Sequence, residues 1–106
     1  MDREQFLGKV KTLLSEVFGD RLQGVVLYGS EARGEAQPDS DIDLLVLLTG
    51  VKDWGRDLKM IIETLYPLQL QVENFRPISA LPAEYAAFQA GAYALYRNAR
   101  REGIVA

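Results

Sequence analysis

Neither cysteine nor histidine occurs anywhere in the chain. The first absence excludes disulfides. Together they exclude zinc sites of the Cys/His type and every mechanism built on a thiolate or an imidazole. Carboxylates, hydroxyls, lysine, arginine and the backbone remain for chemistry. Long apolar runs are missing too, and nothing approaches the roughly 20 residues of a membrane helix. Met1-Asp2-Arg3-Glu4-Gln5 is polar, with no signal-like apolar stretch behind it, so a cytoplasmic protein without membrane contact is expected. A basic excess is also lacking. With 12 basic and 15 acidic residues and a net charge of -3, the chain is unsuited to binding DNA or RNA by neutralising many phosphates. A nucleotide substrate remains compatible, because a metal ion can carry its charge.

What is present suffices for one domain. Of the 106 residues, 48% are apolar, enough for a real core at this size. No repeat, low-complexity stretch or linker interrupts the chain, so a single domain spanning 1–106 is expected. Residues 2–18 read as an amphipathic helix, with Phe6, Val10, Leu13, Leu14 and Val17 at helical spacing. Asp2 and Gln5 form a candidate capping box, and Gly19 a stop. Residues 22–28 and 41–48 read as strands. A helix is expected over 51–66, with Trp54, Leu58, Ile61, Ile62 and Leu65 on one face, ended by Pro67. The alternation of Leu68, Leu70 and Val72 with Gln69, Gln71 and Glu73 reads as a third, half-buried strand over 68–76. A last helix is expected from Pro82, as its first residue, to Arg100. Its apolar stripe is Tyr85, Phe88, Ala92, Leu95 and Tyr96. This order predicts an α/β fold, a small mixed β-sheet flanked by helices.

The informative stretch joins the first two strands. Gly29 lets the backbone turn sharply and lets a ligand approach closely. Ser30 is a natural N-cap for a short helix, and a helix N-terminus just after a strand offers free N–H groups to an anion. Arg33, one turn on, suits a phosphate or a nearby carboxylate. Asp41 and Asp43, two apart on a strand, face the same side. Like charges held together repel, and a divalent metal supplies a reason for the pairing. Mg²⁺ binds carboxylate oxygens while sharing a substrate's phosphates. A phosphate cradle beside paired aspartates is what phosphoryl or nucleotidyl transfer needs. Taken singly, each feature has an ordinary explanation: a turn, a solvated strand end, a surface arginine. Their order along the chain is what makes them a site.

Gly29-Ser30, ten intervening residues and Asp41-Ile42-Asp43 resemble the signature of the polymerase-beta-like nucleotidyltransferase superfamily. Gly29-Ser30-Glu31-Ala32-Arg33-Gly34 and Ser40-Asp41-Ile42-Asp43-Leu44 resemble more closely the minimal nucleotidyltransferases of bacteria and archaea. The closing Arg97-Asn98-Ala99-Arg100-Arg101-Glu102-Gly103 looks like that family's usual C-terminus. The resemblance implies a polymerase-beta-like fold in which Gly29 and Ser30 hold the phosphates of a nucleoside triphosphate, ATP foremost. It implies that Asp41 and Asp43 coordinate Mg²⁺ in a two-metal site. A third carboxylate on the next strand usually completes such a site and helps activate the attacking hydroxyl. Glu73 has the right chemistry and parity for that place; should Gln71 occupy it instead, the base is missing.

The activity implied is transfer of a nucleoside monophosphate to a hydroxyl. Small members of the family commonly act as antitoxins beside a helical toxin of the HEPN class, and some adenylylate a tyrosine of it. The competing reading is a binding module that neutralises such a partner by contact alone. Self-association stays open. An aminoglycoside-type enzyme is disfavoured because such enzymes usually carry an additional helical domain.

Overall fold

Two strands that are apolar on both sides form the middle of the molecule, in a computed structural model that describes residues 1–106. β1 (Leu22–Tyr28) and β2 (Ile42–Leu48) are antiparallel. A parallel strand, β3 (Ile78–Glu84), lies beside β2, and a two-residue strand, β4 (Ile104–Val105), pairs antiparallel with β1. The spatial order is β3-β2-β1-β4, the mixed sheet that the sequence predicts.

Helices cover both faces, which is why β2 has almost no polar residue. On one face, α1 (Arg3–Phe18) and α3 (Trp54–Gln69) bury Phe6, Val10, Leu14, Ile61, Leu65 and Leu68 against Val25, Leu27, Leu44, Val46 and Leu48. On the other, α4 (Tyr85–Ala90) and α5 (Ala94–Glu102) bring Phe88 and Ala99 against Val26, Leu45, Leu47 and Ala83. The capping box of Asp2 and Gln5 forms, and Gly19 stops α1 at a φ of 54°. The α1 face is shifted slightly from expectation: Leu7 and Phe18 are buried, while Val17 faces solvent.

The second half departs from its sequence pattern. Pro67 does not end α3, which continues to Gln69. Leu68 is buried, and the Gln69 side chain both donates to the Arg76 carbonyl (2.6 Å) and accepts from the Ile78 N–H (2.7 Å). Those tertiary contacts outweigh the lost helical hydrogen bond. Residues 68–76 are therefore a helix end, a bend and a 3₁₀ turn at Glu73–Phe75, not a strand. The third strand lies further on and contains Pro82, which was expected to start a helix. A proline is tolerated there because β3 is an edge strand. Trp54 Nε1 donates to the Pro82 carbonyl (2.8 Å). Along α3 the face also turns: Ile62 and Trp54 are exposed, and the buried set includes Asp57. Arg21 satisfies Asp57 through both guanidinium arms (3.1 and 2.8 Å) and also donates to the Thr49 and Gly50 carbonyls. The expected last helix is two, α4 and α5, broken at Gly91 with a φ of 64°.

The end of the chain is pinned by Gly103. A Cβ there would meet the Ala99 carbonyl oxygen, the Val26 Cγ1 at 2.5 Å and the Leu27 carbonyl oxygen at 3.1 Å. Its φ of -78° suits any residue, so only the close approach of α5 to β1 demands glycine. Gly103→Ala is expected to cost about 3 kcal/mol by overpacking. Urea denaturation should show a lower midpoint at unchanged slope.

Candidate active site

β1 ends at Tyr28, and α2 (Gly29–Arg33) begins at once. Gly29 has a φ of +74°, a conformation that costs an L-residue roughly 1–2 kcal/mol. The N-cap is Tyr28, in extended conformation, with no side chain capping the helix. Ser30 is thus the second residue of α2 rather than its cap, and the leading N–H groups of α2 receive no side-chain acceptor. Gly34 closes α2 in a left-handed conformation, where its N–H meets the Glu31 and Ser30 carbonyls.

Asp43 is directly opposite Tyr28 in the β1–β2 ladder. On β2 it shares parity with Leu45 and Leu47, so it faces the α4–α5 side of the sheet. Asp41 precedes the strand and is exposed. The Asp43 carboxylate lies against the turn: a Cβ on Gly29 would fall 2.5 Å from its Oδ2. The structure therefore brings Gly29, Ser30 and Asp43 together at the rim of one sheet face, with Asp41 beside them.

Burial pushes the Asp43 carboxyl above its usual range, and the negative charge of Asp41 adds to this; Arg33 pulls it down. No hydrogen bond to the carboxylate offsets the first two effects. Burial, then the Asp43 charge, raise the Tyr28 phenol as well, so Tyr28 keeps its proton. Arg33 is itself exposed and bonds Glu35 (3.2 Å) and Glu102 (3.4 Å).

Glu73 is not part of this arrangement. It sits in the 3₁₀ turn before β3, and it lines a cavity of about 380 Å³ with Phe6, Leu27 and Ile42, side chains of the α1–α3 face. Asp43 faces the other way. No group of three or more acidic side chains able to hold a metal forms anywhere. The difference follows from the strand's position: with β3 at Ile78–Glu84 rather than 68–76, the residue opposite Asp43 is Ser79.

Two arginines that hold the α2 turn, and Ser79 in register with Asp43, escaped the sequence pattern. Arg76 donates to the Ser40 carbonyl (2.8 Å) and to Glu31 Oε2 (2.8 Å), while Arg3 donates to the Glu31 carbonyl (2.8 Å). Arg76 thereby ties α2 to the residue just before Asp41. Arginines 3 and 76 carry no local signature. Ser79 had one: it is the polar member of an otherwise apolar run from Ile78 to Ala83.

A Gly-Ser turn packed on an Asp-x-Asp strand, within a mixed sheet covered by helices, defines the nucleotidyltransferase class. Residues 4–85 match the model of the nucleotidyltransferase domain, and the chain belongs to that family. A candidate protein adenylyltransferase of Methanocaldococcus jannaschii is 30% identical over 73 residues, 68% of this chain and 74% of the relative. An aminoglycoside (3'') (9) adenylyltransferase of Klebsiella pneumoniae is 48% identical over 54 residues, 44% of this chain but 21% of that longer protein. The crystal structure of a toxin–antitoxin with AMP-PNP matches with a TM-score of 0.65 at 18% identity, over 98% of this chain and 72% of that one. This last likeness is one of fold. No helix is long and apolar enough to cross a membrane.

Proposed function

We propose that this chain transfers a nucleoside monophosphate, AMP foremost, from a nucleoside triphosphate to a hydroxyl of a partner protein, and that the partner is a helical toxin of the HEPN class. The observation carrying this reading is the packing of the Asp43 carboxylate against Gly29 at the start of α2. It puts a carboxylate beside uncapped backbone donors. The names of the two relatives support adenylyl transfer, and the toxin–antitoxin neighbour supports a toxin as the partner.

Two hard carboxylates, Asp41 just before β2 and Asp43 on it, fit Mg²⁺. Asp41 and Asp43 would hold it, and when bound it supplies charge neutralisation to the phosphates. The α2 N–H groups and Ser30 hold the phosphate oxygens, and Arg33 adds positive charge at the rim. The acceptor oxygen attacks the α-phosphorus in line, the bond from that phosphorus to the bridging oxygen breaks, and pyrophosphate leaves. The acceptor's proton passes to water or to the acceptor protein, since β3 offers a hydroxyl and no carboxylate beside Asp43.

The missing third carboxylate also favours a second reading, an antitoxin that works by contact alone. Incubation with labelled ATP, Mg²⁺ and the helical partner separates the two. Label on the partner, lost in Asp41→Asn by at least about 10³-fold, is the expected result. A stable complex with no label transferred by the intact protein would establish neutralisation by contact.

A further inference from the structure

Asp43 has two cross-strand neighbours on its own face, and both carry neutral hydroxyls. Tyr28 is opposite it on β1, and Ser79 is its in-register partner on parallel β3. Adjacent strands lie roughly 4.8 Å apart, so a side chain at position 79 emerges beside the aspartate pair. Ser79 is half-buried.

Several other carboxylates are committed or face elsewhere. Glu84, the acid of β3, is at the strand's far end, where it accepts from the N–H groups of Gly50, Val51 and Tyr85 at 3.1 Å each. Glu31 is paired with Arg76, and Glu35 and Glu102 with Arg33. Glu73 lines the cavity on the opposite face.

We propose that Ser79 fills the third corner of the aspartate site as a neutral hydroxyl, so that a divalent cation is held only jointly with a triphosphate and enters with it. This rests on the assignment of Asp41 and Asp43 as the metal pair. Mg²⁺ demands six oxygens and sheds water reluctantly. Two carboxylates leave much of that shell to solvent, whereas the triphosphate supplies anionic oxygens that complete it. Binding of cation and nucleotide is then reciprocal: each raises the other's affinity by the same factor.

The test installs the missing charge. Calorimetry with Mn²⁺ alone should give binding weaker than about 1 mM for the parent, in the range of charge-poor sites. A non-hydrolysable ATP analogue should bind at least about 10-fold more tightly with Mn²⁺ than without. Ser79→Asp should bind Mn²⁺ alone at least about 10-fold more tightly than the parent, because ligand charge sets affinity at such sites. Its melting temperature should fall below the parent's in chelator, from added like-charge repulsion, and rise above it with Mn²⁺. Ser79→Asn, similar in shape and uncharged, should show neither effect. A parent that binds Mn²⁺ alone as tightly as with the analogue overturns the proposal, as does a folded Ser79→Asp that gains nothing or a Ser79→Asn that gains equally. Asp43→Asn guards the premise. If it leaves Mn²⁺-dependent analogue binding intact, the metal-pair assignment itself falls; if it abolishes that binding while Ser79→Asp gains nothing, only the role of Ser79 falls.

Discussion

Asp43→Asn is expected to raise the melting temperature of this protein at neutral pH while abolishing nucleotidyl transfer. The two effects have one origin. Asp43 ionises in the unfolded chain near its ordinary value of 3.8, and in the folded chain at higher pH, because it is partly buried and because Asp41 lies beside it. A group whose folded pKa is raised contributes stability below the unfolded value and loses it as pH climbs through the folded one. At neutral pH its charge is therefore a net cost to the fold, softened by Arg33. Asparagine keeps the shape and discards the charge. The melting-temperature advantage of the variant should shrink as pH is lowered and vanish below about 3.8, where Asp43 is protonated in both states. Mg²⁺ with ATP should reverse the order by stabilising the parent alone. Transfer should fall by at least about 10³-fold, on the order of 4 kcal/mol of transition-state stabilisation. A variant that melts lower than the parent at pH 7 would show that Asp43 supports the fold, and the pairing would need another explanation.

That strain between fold and function explains why the first half of the chain was so legible. Gly29, Ser30, Asp41 and Asp43 break the local pattern of apolar strands, and residues that break a pattern for function are visible as exceptions. The helix Arg3–Phe18 is long, periodic and capped, and the strands Leu22–Tyr28 and Ile42–Leu48 are short apolar runs bounded by turns, so local sequence identifies them. The second half lacked such signals. Residues 68–76 alternate like a strand, but Leu68 is claimed by the core and Gln69 by the entry to β3. Alternation over so few residues does not outweigh those contacts. Pro82 looked like a helix start because an edge strand that tolerates proline is a property of the sheet's order, not of local sequence. The two-residue strand Ile104–Val105 is too short to show any period. A third strand at 68–76 gives Glu73, with Gln71 as the alternative, the place opposite the aspartates; with β3 at Ile78–Glu84 that place belongs to Ser79. The half-buried pair of Arg76 and Glu31 joins residues 45 positions apart, and no local pattern encodes it.

The sharpest separation of close approach from backbone conformation comes from two glycines of similar conformation. Gly29 and Gly34 have φ values of 74° and 73°. Alanine at either forces an L-residue into the left-handed region, for about 1–2 kcal/mol. Around Gly34 a Cβ meets nothing within 4 Å, whereas at Gly29 it meets Asp43 Oδ2 at 2.5 Å, with Cγ and Cβ behind it at 3.4 and 3.5 Å. Both variants should lose stability, and Gly29→Ala should lose about 1–3 kcal/mol more by overpacking. Activity should separate them further. In Gly29→Ala either the carboxylate rotates away or α2 moves out, and a displacement of roughly 1 Å at a reacting centre costs about 10²-fold. Gly34→Ala should keep kcat/KM within about 3-fold, since the backbone penalty carries no displacement of a ligand. A double-mutant cycle locates the cause. Truncating Asp43 to alanine removes the colliding atoms, so the stability cost of Gly29→Ala should drop by at least about 1 kcal/mol in that background. If the two costs simply add, the contact between turn and carboxylate is not what the glycine serves. The site would then owe its glycine to the turn alone, and Gly29 and Asp43 would not form one cradle.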